Sequence, residues 1–333
     1  MDRKFVLLLV TLVMMIAPAL TAQVSSTDAA FKEQFEKGKR ALTDGKYGDA
    51  IGAFKKAVRI QGDCYACYQG MASAYAQLRQ ERNALEACDK AADVAANDGT
   101  RAAAHSLKGN ILVGYADDPK DLAGAESEFR KAVELDSKVA LYHLNLAIVL
   151  LRQSKDEAAK PELEACLAAQ PDPGLAKQAR SMLADPRRGR ETFAPEFHVK
   201  TLTGDEISLE QFAGKVLVMD FWATWCSPCR DSVPELKALT RKYPADKLVL
   251  ISVSVDEDDQ AWREFIQKKH MDWMQYRDAD GQLRRAFAVR GFPTYLVIDG
   301  DGIIRQRMTG LNPQETVVHR LRKDLEAMFQ AKK

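Results

Sequence analysis

The sequence predicts a two-part molecule: an all-α N-terminal half built from helical repeats, then an α/β domain with a central mixed sheet flanked by helices. Three observations carry this. Between Phe31 and Pro173 the chain aligns on itself at a spacing of 34 residues. The stretch Ala184-Asp185-Pro186-Arg187-Arg188-Gly189-Arg190 then breaks the helical pattern with Pro, Gly and like charges. Beyond it, short apolar runs alternate with amphipathic segments. At 333 residues the chain is long enough for two separate cores. The formal net charge of +1 gives no electrostatic footprint for a nucleic-acid partner. Five histidines (His105, His143, His198, His270, His319) are scattered without metal-ligand spacing and read as ordinary surface or half-buried residues.

The first 22 residues read as an address. Asp2-Arg3-Lys4 is followed by an apolar run from Phe5 to Leu20, broken only by Thr11, and then by small residues. This is the pattern of a secretory signal peptide, cleaved at Ala22-Gln23 or, alternatively, Ala19-Leu20. An uncleaved membrane anchor is the alternative, but the run is shorter than the ~20 residues a spanning helix needs. No cysteine lies near the cleavage point, so no lipid anchor is expected. The mature chain is expected in the periplasm or cell envelope, where disulfides persist.

Residues 31–183 hold four repeats and a closing helix. Phe31–Cys64 places Gly38, Ala50, Phe54 and Ala57 at four offsets; Tyr65–Asp98 places Ala72, Tyr75, Ala84, Cys88 and Ala91 at equivalent ones. The third unit starts near Ala102, with Gly109, Ala125, Phe129 and Ala132, and about four extra residues around Asp117-Asp118-Pro119. The fourth, Ala140–Pro173, offers Ala147, Ala159, Leu163 and Cys166, and Leu175–Leu183 would cap the array. The pattern resembles the tetratricopeptide repeat, whose small residues let paired helices approach closely. The resemblance implies a solenoid with a groove for a protein ligand; a plain spacer is the alternative. Cys88 and Cys166 occupy interior offsets and read as buried packing.

Cys64-Tyr65-Ala66-Cys67 stands at the start of the second repeat, where Asp63 is expected to cap the helix. Residues three apart share a helix face, so a bridge is sterically allowed. Haem attachment is excluded because Tyr68 stands where a histidine is needed. The pair reads as a structural disulfide pinning the repeat joint; the alternative is a second redox-active pair that relays electrons to Cys226.

Residues 184–193 read as an exposed linker, and 194–333 as the α/β domain. Phe197–Leu202 and Glu206–Leu209 suggest a hairpin over Thr203-Gly204-Asp205. Val216–Ala223 and Leu248–Val255 are buried strands. Between them, a helix runs from Pro228 to about Tyr243 with Pro234 inside. Ala261–Lys269 is helical, Trp273–Tyr276 a short strand, and Gln282–Val289 a helix. Thr294–Ile298 and Ile303–Met308 form a hairpin whose Asp299–Gly302 turn lacks the carboxylates of a calcium loop. A helix over Gln314–Phe329 ends the chain.

The chemistry concentrates at Trp222-Ala223-Thr224-Trp225-Cys226-Ser227-Pro228-Cys229-Arg230. Two cysteines at this spacing, where a buried strand meets a helix N-terminus, can pass a disulfide to another protein: the sulfurs reach bonding distance, and the helix end favours the attacking thiolate. Asp220 lies on the otherwise apolar strand, where burial raises its pKa toward the range of proton exchange; a satisfied polar group is the alternative.

The block VLVMDFWATWCSPCR, followed by RGFPTYLVID, resembles the thioredoxin superfamily and within it the exported reductases of the TlpA and ResA type. The resemblance covers roughly Ala194 to the C-terminus. It implies a protein-disulfide reductase that needs no cofactor beyond its own disulfide, acts on protein thiols and disulfides, and draws electrons from a membrane donor of the DsbD or CcdA type. Cys226 would be the nucleophile and Cys229 the resolving thiol. Asp220 stands where thioredoxin carries an Asp that assists the buried cysteine. Phe292-Pro293-Thr294 matches the cis-proline loop facing the cysteines, where Pro293 permits the cis bond and Phe292 and Thr294 border the substrate. Trp225 would cover the site, with Trp222 in the core. Ser227 in place of the usual Gly and the bulky Phe292 depart from the commonest pattern. A binding-only adaptor and a thiol peroxidase are the competing readings.

Overall fold

The computed structural model describes residues 26–310 and Leu325. The segment read as a signal peptide lies outside the described residues, as does the last expected helix apart from Leu325. Among the described residues no helix is long and apolar enough to cross a membrane. The chain divides into two compact units, Met1–Arg190 and Glu191–Lys333.

Among its described residues the first unit has helices and no strand. α1 (Ser26–Thr43) packs on α2 (Tyr47–Ile60), α3 (Tyr65–Gln77) on α4 (Glu81–Asp93), α5 (Asp98–Tyr115) on α6 (Ala123–Leu135), and α7 (Ala140–Arg152) on α8 (Asp156–Ala168). These are the helix pairs that the repeat spacing predicts, and α9 (Pro173–Ala184) closes the array against α7 and α8. Small residues set the approach within a pair. A Cβ on Gly38 would meet the Phe54 ring at 2.7 Å, and one on Gly109 would meet the Phe129 ring at 2.7 Å. Cys88 and Cys166 are buried free thiols.

Asp63 does not cap α3; Cys64 does, through its own sulfur, which accepts the Cys67 N–H at 3.2 Å. The stretch expected to be an exposed linker is largely built into structure. Asp185 caps a short 3₁₀ turn over Pro186–Gly189, Gly189 is buried against Leu151, and Arg190 pairs with Asp156. On the far side, Phe193 bridges to Ile303 in the second unit. Pro and Gly here make a tight turn that packs against the repeats.

In the second unit β1 (His198–Lys200) and β2 (Glu206–Ser208) form a separate antiparallel hairpin. The main sheet has the order β5-β4-β3-β6-β7, from β3 (Val216–Trp222), β4 (Leu248–Ser254), β5 (Met274–Arg277), β6 (Thr294–Ile298) and β7 (Ile304–Thr309). β3, β4 and β5 run parallel, while β6 and β7 join antiparallel, so the sheet is mixed as expected. β3 and β4 are buried at every residue, which is why both read as continuous apolar runs. One face packs Leu217, Met219 and Phe221 against Phe287 and Val289. The other packs Val216 and Val218 against Leu236 and Leu239 of α10 (Ser227–Lys242). α11 (Asp259–Lys269) and α12 (Gln282–Ala286) complete the unit. α12 stops short of the expected Val289 because Ala288 turns to φ +49°.

Candidate active site

β3 delivers the chain to Ala223, a loop follows, and Cys226 begins α10 as its N-cap. The Cys226 Sγ accepts the backbone N–H of Cys229 at 3.3 Å, and the two sulfurs are bridged at 2.07 Å. Ser227 and Pro228 fill the first helical positions, where an absent proline N–H leaves nothing unpaired. Cys226 is 7% exposed and Cys229 is 2%. Both pack into an apolar cluster with Trp222, Val233, Trp262 and Ile266, against which Phe292 rests. The Phe292–Pro293 peptide is cis. Trp225, 65% exposed, sets its ring edge-on to Phe292 with centroids 6.0 Å apart, whereas Trp222 is buried.

The loop before Cys226 is clamped by a carboxylate that sequence reasoning missed. The buried Asp256 accepts the Thr224 N–H (3.0 Å), the Thr224 hydroxyl (2.7 Å) and the Ser254 hydroxyl (2.6 Å). Of these three donors, the two from Thr224 fix the loop two residues ahead of the cysteine.

Asp220 shares the α10-facing side of β3 with Val218 and Trp222. Its strand partners are Ser252 on β4 and Tyr295 on β6. The Ser252 hydroxyl donates to Asp220 Oδ2 at 2.8 Å, while Oδ1 has no hydrogen-bond partner among the described residues. The Trp273 indole N–H donates in turn to Ser252 Oγ at 2.9 Å. Burial, only partly offset by the Ser252 bond, pushes the Asp220 carboxyl up to about 7.

A second buried polar line reaches the pair from β6. The Ser232 hydroxyl donates to the Cys229 carbonyl at 2.8 Å and lies 2.7 Å from the Tyr295 hydroxyl. Serine has one proton, committed to Cys229, so Tyr295 donates to Ser232. Burial, with Asp220 close by, raises the Tyr295 phenol far above its ordinary value. The sole sequence cue to these partners was polar residues, Ser252 and Ser254, within an apolar strand.

Thr294 is buried. It is 1% exposed, and its hydroxyl donates to the Gly291 carbonyl at 2.8 Å and meets Thr309 Oγ1 at 3.0 Å. Its side chain is turned into the loop, bonded to Gly291 and Thr309. Cys64 and Cys67, in the other unit, are bridged as well. Among the described residues no cluster of His, Cys, Asp and Glu is arranged to hold a metal.

A bridged Cys-x-x-Cys pair capping a helix beside a mixed five-stranded sheet defines the thioredoxin-like class of thiol–disulfide oxidoreductases. Residues 191–307 match the AhpC/TSA family. The chain is 32% identical over 130 residues to the thiol-disulfide oxidoreductase ResA of Bacillus thuringiensis subsp. konkukian, covering 39% of this chain and 75% of that protein. It is 31% identical over 131 residues to the thioredoxin-like protein YneN of Bacillus subtilis, covering 38% and 76%. A solved thiol-disulfide oxidoreductase from Bacteroides fragilis is 27% identical, with 40% of this chain and 98% of that chain covered and a TM-score of 0.35. By its C-terminal unit the protein belongs to the AhpC/TSA family, with the ResA-like thiol–disulfide oxidoreductases as relatives.

Proposed function

We propose that the protein is an exported protein-disulfide reductase whose repeat unit recruits partner proteins. The observation that carries the chemistry is the Cys226–Cys229 bridge at the start of α10, with Cys226 Sγ receiving the Cys229 N–H. In the dithiol state that N–H and the helix end stabilise a Cys226 thiolate. The thiolate attacks one sulfur of a substrate disulfide; the other substrate sulfur departs as thiolate and takes a proton. Asp220 accepts the Cys229 proton, Cys229 attacks Cys226 Sγ, and the second substrate sulfur leaves. The bridge seen here is the product of that step. Two electrons from a membrane dithiol donor then restore the pair.

Trp225 and Phe292 border the cysteines, and the Phe292 backbone pairs with an extended substrate segment. Pro293 exposes that backbone edge. The Asp256 clamp on Thr224 positions the loop that presents Cys226. Export rests on the N-terminal address, and recruitment on the helix pairs, whose spacing resembles tetratricopeptide repeats.

The test is Cys229→Ser in the full chain. The expected outcome is a covalent adduct at Cys226 with disulfide-bearing proteins, released by dithiothreitol, and loss of insulin reduction. A variant that traps no adduct while Cys226 remains alkylatable contradicts the reductase reading and favours a binding-only domain.

A further inference from the structure

The repeat unit holds a cysteine pair whose local chemistry duplicates that of the C-terminal unit. Cys64 is the N-cap of α3 and its Sγ accepts the Cys67 N–H at 3.2 Å; Cys226 is the N-cap of α10 and accepts the Cys229 N–H at 3.3 Å. Both pairs are bridged, with Cα atoms 5.3 Å apart. Cys64 and Cys226 are each 7% exposed, and their partners are 0% and 2% exposed. In each pair the cysteine at the helix end is thus the less deeply buried one, with its partner a turn further in. Each also sits in an apolar cluster, here with Phe54, Met71 and Ala72.

A structural role accounts for little of this. The constraint a bridge places on the unfolded chain grows with the loop it closes, and this one encloses only Tyr65 and Ala66. The helix start is already held by the Cys67 and Tyr68 N–H groups, which donate to the Cys64 carbonyl at 3.1 and 3.3 Å. A reduced Cys64, by contrast, has the backbone donor and helix end that stabilise a thiolate. Gln61, Gly62 and Asp63 immediately before it are exposed, which leaves an approach for a partner sulfur. Cys88, in the same cluster, is kept a neutral thiol by burial, which pushes it up to about 12, so it does not compete as the attacking group.

We infer that Cys64–Cys67 is a second redox-active disulfide, exchanging two electrons with protein dithiols. A partner thiolate attacks Cys64 Sγ, and Cys67 leaves as thiolate and takes a proton. The partner's second thiolate then attacks its own bridged sulfur and releases Cys64 as thiolate. The partner ends as a disulfide and this pair as a dithiol, and the reverse sequence returns the electrons.

The experiment uses the full chain carrying Cys226→Ser and Cys229→Ser, so that its result is independent of the reading of that pair. It is equilibrated in dithiothreitol redox buffers beside a thioredoxin standard, quenched by alkylation and read by mass. The expected result is a reversible couple half-reduced at a dithiothreitol ratio within about a hundredfold of the standard's, with the far-ultraviolet circular dichroism unchanged. A pair that needs more reducing conditions than that, one whose reduction melts helix, or one found unbridged in the oxidised buffers overturns the inference.

Discussion

Asp220 is 2% exposed, receives one hydroxyl hydrogen bond and has its pKa pushed up to about 7. Its unfolded value lies near 3.9, so the folded state binds the extra proton between roughly pH 4 and 7. The stability this group contributes is therefore present below pH ~4 and lost as pH rises through ~7. Asp220→Asn removes the buried charge, and we expect it to be more stable than the native chain at pH 8 by on the order of a few kcal/mol. That difference should shrink steadily toward pH 5. The same substitution should slow release of the mixed disulfide and flatten its pH dependence around 7; urea unfolding at the two pH values and stopped-flow release kinetics measure both. Cys226 and Cys229 were legible as candidates from their spacing at a strand–helix joint, Asp220 as a carboxylate on an apolar strand, and Pro293 from the resemblance of its loop to the thioredoxin superfamily. Ser232 and Tyr295 were not. They lie 63 residues apart, and only the register of β6 against β3 under α10 brings them together. The Thr224–Asp256 clamp, 32 residues apart, is hidden for the same reason, and the inward direction of the Thr294 side chain is not legible either, because a motif shows position alone.

At the scale of elements, spacing was the most readable signal. Gly38 and Gly109 occupy the same repeat offset, and in each case the ring of that repeat's own phenylalanine fills the space a side chain would need. Gly109→Ala should therefore force the Phe129 ring and α6 outward, costing about 1–3 kcal/mol by thermal or urea unfolding. A neutral result would mean the pair tolerates wider spacing than the structure shows. The strands were legible because β3 and β4 are buried on both faces and read as unbroken apolar runs. Boundaries were less so. Pro186 and Gly189 look like breakers in isolation, yet Asp185 caps the turn they form and Leu151 receives Gly189, contacts made across the fold. The cap of α3 was likewise assigned to Asp63 on residue preference, and the sulfur of Cys64 took it instead.

At the scale of the molecule, each unit contains a helix that begins on a bridged Cys-x-x-Cys pair. Around its pair the C-terminal unit adds a buried carboxyl whose pKa is pushed up to about 7, a clamped approach loop and the edge-on ring contact of Trp225 with Phe292. On the proposed function, Cys226–Cys229 works as a reductant. Its most direct test is the equilibrium reduction potential of that pair in the intact chain, read peptide by peptide by alkylation and mass so that Cys64–Cys67 is scored separately. A reductant gives a reversible two-electron couple at or below about −220 mV, in the range of reducing thioredoxin-like proteins. A value near −120 mV, that of a strong disulfide-inserting oxidant, or no reversible couple at all, would contradict it.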